Sequence, residues 1–94
     1  MMCQHEQVVR NVVIQNKLGL HLRPVRLMVE EANKFASDVT IAKGDHQVDG
    51  KSFLDLMSLA AAMGSTLILR VTGPDATQAV DALEDLIRRK FDEE

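Results

Sequence analysis

The residues with the clearest chemical potential stand together in the run Leu18-Gly19-Leu20-His21-Leu22-Arg23-Pro24. Proline biases the residue before it away from the α region and fits a first helical turn, so a helix is expected to open at Pro24 with His21 at or just before its N-terminus. The first amides of a helix lack intrahelical partners and favour an anion, typically by ~0.3–1 kcal/mol. That same positive end disfavours imidazolium and should keep the ring neutral at about pH 7. A neutral imidazole has a free lone pair that can attack phosphorus. Arg23 adds a fork of donors suited to phosphoryl oxygens, and Gly19 would let the loop pass close to the ring. Residue types alone leave a second reading open, in which His21 is a simple cap or a surface residue.

A second constellation runs from Asp49 to Leu59. Ser52 can cap a short helix through Phe53, Leu54, Leu56, Met57 and Leu59 toward Gly64. Phe53, Leu54 and Met57 fall on one side of it, either as ordinary core or as an apolar patch left for a partner. Gly50-Lys51-Ser52 has the end of a nucleotide-binding P-loop, but the full motif needs glycine where Asp45 stands, and a long helix should follow. His5, His21 and His46 show no metal-ligand spacing, and Cys3 has no CxxC partner, so neither metal nor cofactor is expected. His5 and His46 read as surface residues and Cys3 as an ordinary free thiol.

Around these motifs the elements alternate. Val8 to Ile14 is β-prone, and Val25, Met28, Val29, Ala32, Phe35 and Ala36 then recur at helical spacing. Asp38 to Lys43 alternates as a strand, Lys43-Gly44-Asp45 signals a turn, and His46 to Asp49 returns. Thr66 to Val71 is a strand ended by Thr72-Gly73-Pro74. Asp75 followed by Gln78 resembles a capping box for a helix along Ala76, Ala79, Val80, Leu83, Leu86 and Ile87. Arg88, Arg89 and Lys90 complement that helix's dipole, and Asp92-Glu93-Glu94 is expected to be solvated. The order β-α-β-β-α-β-α on so short a chain predicts a two-layer arrangement of one sheet with helices on one face, at least partly antiparallel.

Composition sets the outer limits. The chain has 94 residues, room for one domain over 1–94, and its 46% hydrophobic content exceeds that of a disordered tail. Three Phe and no Tyr or Trp argue against a base-stacking platform, and a net charge of −3 argues against a nucleic-acid backbone as ligand. One cysteine cannot form an internal disulfide, which suits a reducing compartment. Met1 to Arg10 has no signal-like apolar run, and no stretch approaches the roughly 20 apolar residues of a membrane span. A cytoplasmic monomer without membrane insertion is expected.

Gly19-Leu20-His21-Leu22-Arg23-Pro24 resembles the G-L-H-x-R-P active-site signature of the histidine-containing phosphocarrier protein (HPr) family of the phosphoenolpyruvate-dependent phosphotransferase system. Asp49 to Leu59 resembles that family's regulatory-serine region, at the family's distance from the histidine. The resemblance spans roughly Val8 to Phe91. It implies an α+β open-faced β-sandwich, with a four-stranded antiparallel sheet and three helices on one face. It also implies a stoichiometric carrier rather than a stand-alone catalyst: His21 takes a phosphoryl group on Nδ1 from enzyme I, charged by phosphoenolpyruvate, and passes it to an enzyme IIA domain. By the same resemblance Arg23 stabilises the phosphoryl group, Ser52 is the target of an HPr kinase/phosphorylase, and Leu22, Arg26, Leu27, Phe53, Leu54 and Met57 form the partner-binding face. The family usually has Ala or Thr where Leu22 stands and a small residue where Arg26 stands; both departures bear on partner choice. Asn16 to Gly19 and Phe91 to Glu94 resemble the nitrogen-related paralogues, whereas the Ser52 region resembles sugar-type carriers. The rival class is a regulatory binding module of the same fold, acting through Ser52-dependent contacts with His21 idle.

Overall fold

The computed structural model describes residues 6–93, so Cys3, His5 and Glu94 lie outside the described residues. Four strands form one antiparallel sheet: β1 (Glu6–Val13), β2 (Asp38–Lys43), β3 (His46–Asp49) and β4 (Thr66–Gly73). Their spatial order is β1-β4-β2-β3, with β4 between the first strand and the β2–β3 hairpin. Three helices, α1 (Leu22–Ala32), α2 (Phe53–Met57) and α3 (Ala76–Arg88), complete the layers. The α+β open-faced sandwich expected from the sequence is therefore the observed fold.

Alternation builds the two faces. In β4, Leu67, Leu69 and Val71 are buried while Ile68, Arg70 and Thr72 point the other way. In β1, Val12 is buried, whereas Val9, Asn11 and Val13 are exposed on the uncovered face. Opposite the buried face, Val25, Met28 and Ala32 of α1 and Ala79, Val80, Leu83 and Ile87 of α3 supply the helical side of the core. Each such aliphatic side chain contributes roughly 1.5–3 kcal/mol when fully removed from water, so the sheet–helix sandwich needs no covalent staple.

Several local expectations shift. α1 opens at Leu22, two residues ahead of Pro24, and Arg23 is helical despite preceding a proline. Proline is tolerated there because the first four amides of a helix have no intrahelical acceptor to lose. The helix ends at Ala32, so Phe35 and Ala36 fall beyond it. The helix capped by Ser52 stops at Met57 instead of running through Leu59; Ala60 turns the chain with a positive φ of 49°, and the Lys43 ammonium donates to the carbonyls of Leu59 and Ala60.

The capping box at Asp75 does not form. Asp75 is the N-cap of α3, but its side chain makes no cap bond. Its carboxylate instead accepts from the amides of Ala36 and Ser37, both at 2.9 Å, and from the Ser37 hydroxyl at 2.5 Å. The buried Ser37 oxygen accepts in return from the Asp75 amide at 3.2 Å. A tertiary pairing has outcompeted the local one, and it pins the α1–β2 connection to the entrance of α3. The Ser37 hydroxyl, with help from the Ala36 and Ser37 amides, holds the Asp75 carboxyl below its usual range against a weaker opposing effect of burial.

Candidate functional site

His21 is the N-cap of α1, with extended backbone (φ −94°, ψ −169°) and no side-chain cap bond. A Ser, Thr, Asp or Asn at this position commonly turns its oxygen inward to the helix amides; here the imidazole is left for other work. The loop leading to it is tightly specified. Gly19 has φ +68°, which side-chain-bearing residues rarely adopt, and a Cβ there would strike the Ala61 carbonyl and the Ala62 backbone. The glycine thus lets the loop pass close to the 61–62 segment. Leu20 donates its amide to Ala61 at 2.8 Å, the buried Leu20 side chain anchors the loop, and the His21 amide donates to Gly19 at 3.0 Å.

The larger correction concerns Glu93, expected to be solvated along with Asp92 and Glu94; Asp92 is exposed as expected, and Glu94 lies outside the described residues. After α3 the chain makes a closing turn, Lys90–Asp92, in which all three residues have positive φ (59°, 56° and 59°). Left-handed backbone costs a residue with a side chain about 1–2 kcal/mol. Two contacts offset that cost: Phe91 is wholly buried, and its carbonyl accepts from Arg23 Nη1 at 2.7 Å. The turn delivers Glu93 to the histidine. Glu93 Oε2 lies 2.7 Å from His21 Nε2 and 3.6 Å from Arg23 Nη1, and the Glu93 side chain keeps only 14% exposure against 35% for His21.

Asn16 is the other residue that sequence reasoning missed as part of the site. It is fully buried, and its amide nitrogen donates both to the Gly19 carbonyl at 2.8 Å and to Glu93 Oε1 at 2.9 Å. Its oxygen Oδ1 is buried without a partner, so the side chain is held for what its NH₂ group binds. The burial of Asn16 is decided by the tertiary structure; in the sequence the residue stands between the polar Gln15 and Lys17, marked only by the resemblance of the stretch from Asn16 to Gly19 to the nitrogen-related paralogues. Burial, the largest influence, pushes the Glu93 carboxyl up. The hydrogen bonds from Asn16 and His21, with the electrostatic pull of His21 and Arg23, outweigh it and hold the group below the usual range.

The second motif is more local. Ser52 is the extended N-cap of α2 (φ −109°, ψ 119°), and its hydroxyl accepts from the Asp55 amide at 3.3 Å. The Lys51 ammonium donates to the Phe35 carbonyl at 2.8 Å, and Asn33 Nδ2 reaches the Lys51 carbonyl at 3.5 Å. Those ties put the start of α2 beside the far end of α1, whose 11 residues span about 16 Å, so Ser52 sits roughly one helix length from His21.

Of the six side chains expected on the docking face, Leu22 (62% exposed), Leu54 (78%) and Arg26 project into solvent, while Leu27, Phe53 and Met57 are half-buried against the core. Leu18, 73% exposed, and Met63 are further projecting apolar side chains near the loop that the sequence reading passed over. Among the described residues no group of His, Cys, Asp or Glu is arranged to hold a metal ion, and no helix is long and apolar enough to cross a membrane.

An open-faced sandwich with a histidine at the mouth of its first helix, an arginine two residues on and a serine capping the second helix defines a class: small histidine phosphocarriers. Residues 8–89 match the family model described as the HPr component phosphorylation site of the phosphotransferase system. The chain is 40% identical over 87 residues to the phosphocarrier protein HPr of Treponema pallidum, covering 93% of this chain and 99% of that one. It is 44% identical over 84 residues to the phosphocarrier protein HPr of Cupriavidus necator, covering 89% and 94%. Among solved structures, the crystal structure of HPr-C-His from Thermoanaerobacter tengcongensis superimposes with a TM-score of 0.90 at 40% identity, over 93% of this chain and 98% of that one. The chain belongs to the HPr family of phosphocarrier proteins.

Proposed function

We propose that His21 is the residue that carries the phosphoryl group, taking it from phosphoenolpyruvate-charged enzyme I and passing it to an enzyme IIA-type acceptor in the cytoplasm, with the chain acting as a monomer. The observation that carries this reading is the N-cap geometry: extended backbone at His21 with a side chain not spent on capping. Helix amides that lack intrahelical acceptors then lie beside an incoming anion. Arg23 is the partner for phosphoryl oxygens. Its guanidinium is tied through Nη1 to Phe91 and is about half exposed, so it is held close to the ring while donors remain for a ligand. Most of the rate gain comes from the partner aligning donor and nucleophile.

Leu22, Arg26, Leu27, Phe53, Leu54 and Met57 are proposed as the docking face, with Ser52 as a site of regulatory phosphorylation by an HPr kinase/phosphorylase. A phosphate on Ser52 would add about −1.5 to −2 charges. It would lie beside Asp55 in the first turn of α2 and at a helix length from the nucleophile, so it acts on docking and not on the ring.

Incubation with enzyme I and phosphoenolpyruvate, followed by intact-mass measurement, should add one acid-labile phosphate that His21→Ala abolishes. No added mass, or addition that survives His21→Ala, would sink the assignment and favour the regulatory module with His21 idle. Ser52→Asp should slow the transfer to His21; equal rates would remove the regulatory role.

A further inference from the structure

Resting on the reading of His21 as the phosphoryl acceptor, we infer that Glu93 is a positioning residue for the transfer. Presented by the closing turn and oriented by Asn16, it holds the His21 ring with the proton on Nε2, so that Nδ1 alone offers a lone pair. The pairing is geometric first: Nε2 and Oε2 are 2.7 Å apart, and Nδ1 has no hydrogen-bond partner among the described residues. The other oxygen of the carboxylate is fixed by Asn16 at 2.9 Å, and Asn16 is anchored in turn on the Gly19 carbonyl, two residues before the histidine. One buried amide therefore ties the histidine loop and the closing segment into a single unit. Because the Glu93 carboxyl is held below its usual range, it is ionised at neutral pH and can only accept, so the ring nitrogen must be the donor.

The consequence for transfer is a cycle in which no proton has to move at Nε2. The Nδ1 lone pair forms the N–P bond while the bond from phosphorus to the donor's leaving atom breaks, its electron pair departing with the donor. The ring becomes a phospho-imidazolium whose positive charge faces the Glu93 carboxylate. In the second half the acceptor's lone pair attacks phosphorus, and the N–P pair returns to Nδ1. The leaving group is then neutral imidazole with its Nε2 proton still in place. Without the carboxylate, the ring would lose the pairing that fixes its orientation and the counter-charge to the phospho-imidazolium, and in the fraction of rings protonated on Nδ1 no lone pair would face the donor.

The test combines ¹⁵N NMR of the His21 ring with single-turnover phosphorylation by charged enzyme I, on the full chain and on Glu93→Ala and Glu93→Gln. Both changes lie outside the helices and strands, and circular dichroism checks the fold. The wild-type ring should be the Nε2–H tautomer. Glu93→Ala should mix the tautomers and slow transfer roughly tenfold to a hundredfold, the span of one charged hydrogen bond. Glu93→Gln keeps an accepting oxygen and should restore the tautomer and part of the rate. Wild-type tautomer or wild-type rate in Glu93→Ala, or Glu93→Gln no better than Glu93→Ala, overturns the inference. Failure of the underlying reading is separate, since it appears as phosphorylation that persists in His21→Ala.

Discussion

Of the polar N-caps on the three α-helices, those of α2 and α1 are used in opposite ways. At α2, Ser52 turns its hydroxyl inward to the Asp55 amide three residues on, and the cap is complete within one turn. At α1, His21 makes no such bond, and its ring is engaged by Glu93, 72 residues further along the chain. The local cap stabilises its own helix. The distant one leaves a helix mouth open and the proposed nucleophile oriented, with its support drawn from the closing turn and Asn16. Asp75 of α3 gives up its local cap as well, but to pin a connection; at α1 the same release leaves a ring whose orientation is supplied from far away.

The sharpest attempt to break this contrast is at Arg23, which joins the open mouth to the closing turn. Arg23→Ala should slow His21 phosphorylation by roughly ten- to a hundredfold, because it removes both the proposed hydrogen-bond donor to the phosphoryl oxygens and a tie to the Phe91 carbonyl. Arg23→Lys should recover only part, since an ammonium lacks the fork. Unchanged single-turnover rates would show that the open mouth works without it.

Asn16→Ala comes next. It removes the amide shared by Gly19 and Glu93 and should cost about 1–3 kcal/mol in urea unfolding. A stability equal to wild type would mean that the loop and closing turn are not coupled through this side chain. Ser52→Ala should cost less, about 0.5–2 kcal/mol from a lost cap, with the His21 transfer rate unaltered. A comparable fall in rate would erase the distinction between the two mouths.

The smallest effect expected is on acidification. Asp75 and Glu93 both have carboxyls lowered in the folded protein. Each therefore contributes stability that is fully present above the ordinary carboxylate range of about 4, and that is lost as pH falls through the lowered folded value. NMR titration should find the Ala36 and Ser37 amides following Asp75, and the Asn16 side-chain amide following Glu93. A midpoint for either carboxyl at or above its ordinary value would contradict the stated direction.

Periodicity made most of the fold legible. β2 and β3 fall where alternation and the Lys43-Gly44-Asp45 turn put them, and α3 follows its apolar spacing to Arg88. Errors gathered where a distant partner competes with a local signal. Asp75 abandoned its capping box for Ser37, a residue 38 positions away, because two amides and a hydroxyl satisfy a carboxylate better than one amide does. Glu93 looked solvated because nothing in Lys90-Phe91-Asp92 marks a left-handed turn.

What the sequence alone determined is the set of elements, their order and the histidine–arginine–proline motif at a helix mouth, because period and turn chemistry act over a few residues. What only the tertiary structure decided is which groups meet that histidine. Glu93 and Asn16 reach it through the buried Phe91 and a chain reversal, contacts whose energy exists only after the core has closed. A hydrogen bond across 72 positions leaves no trace in local spacing.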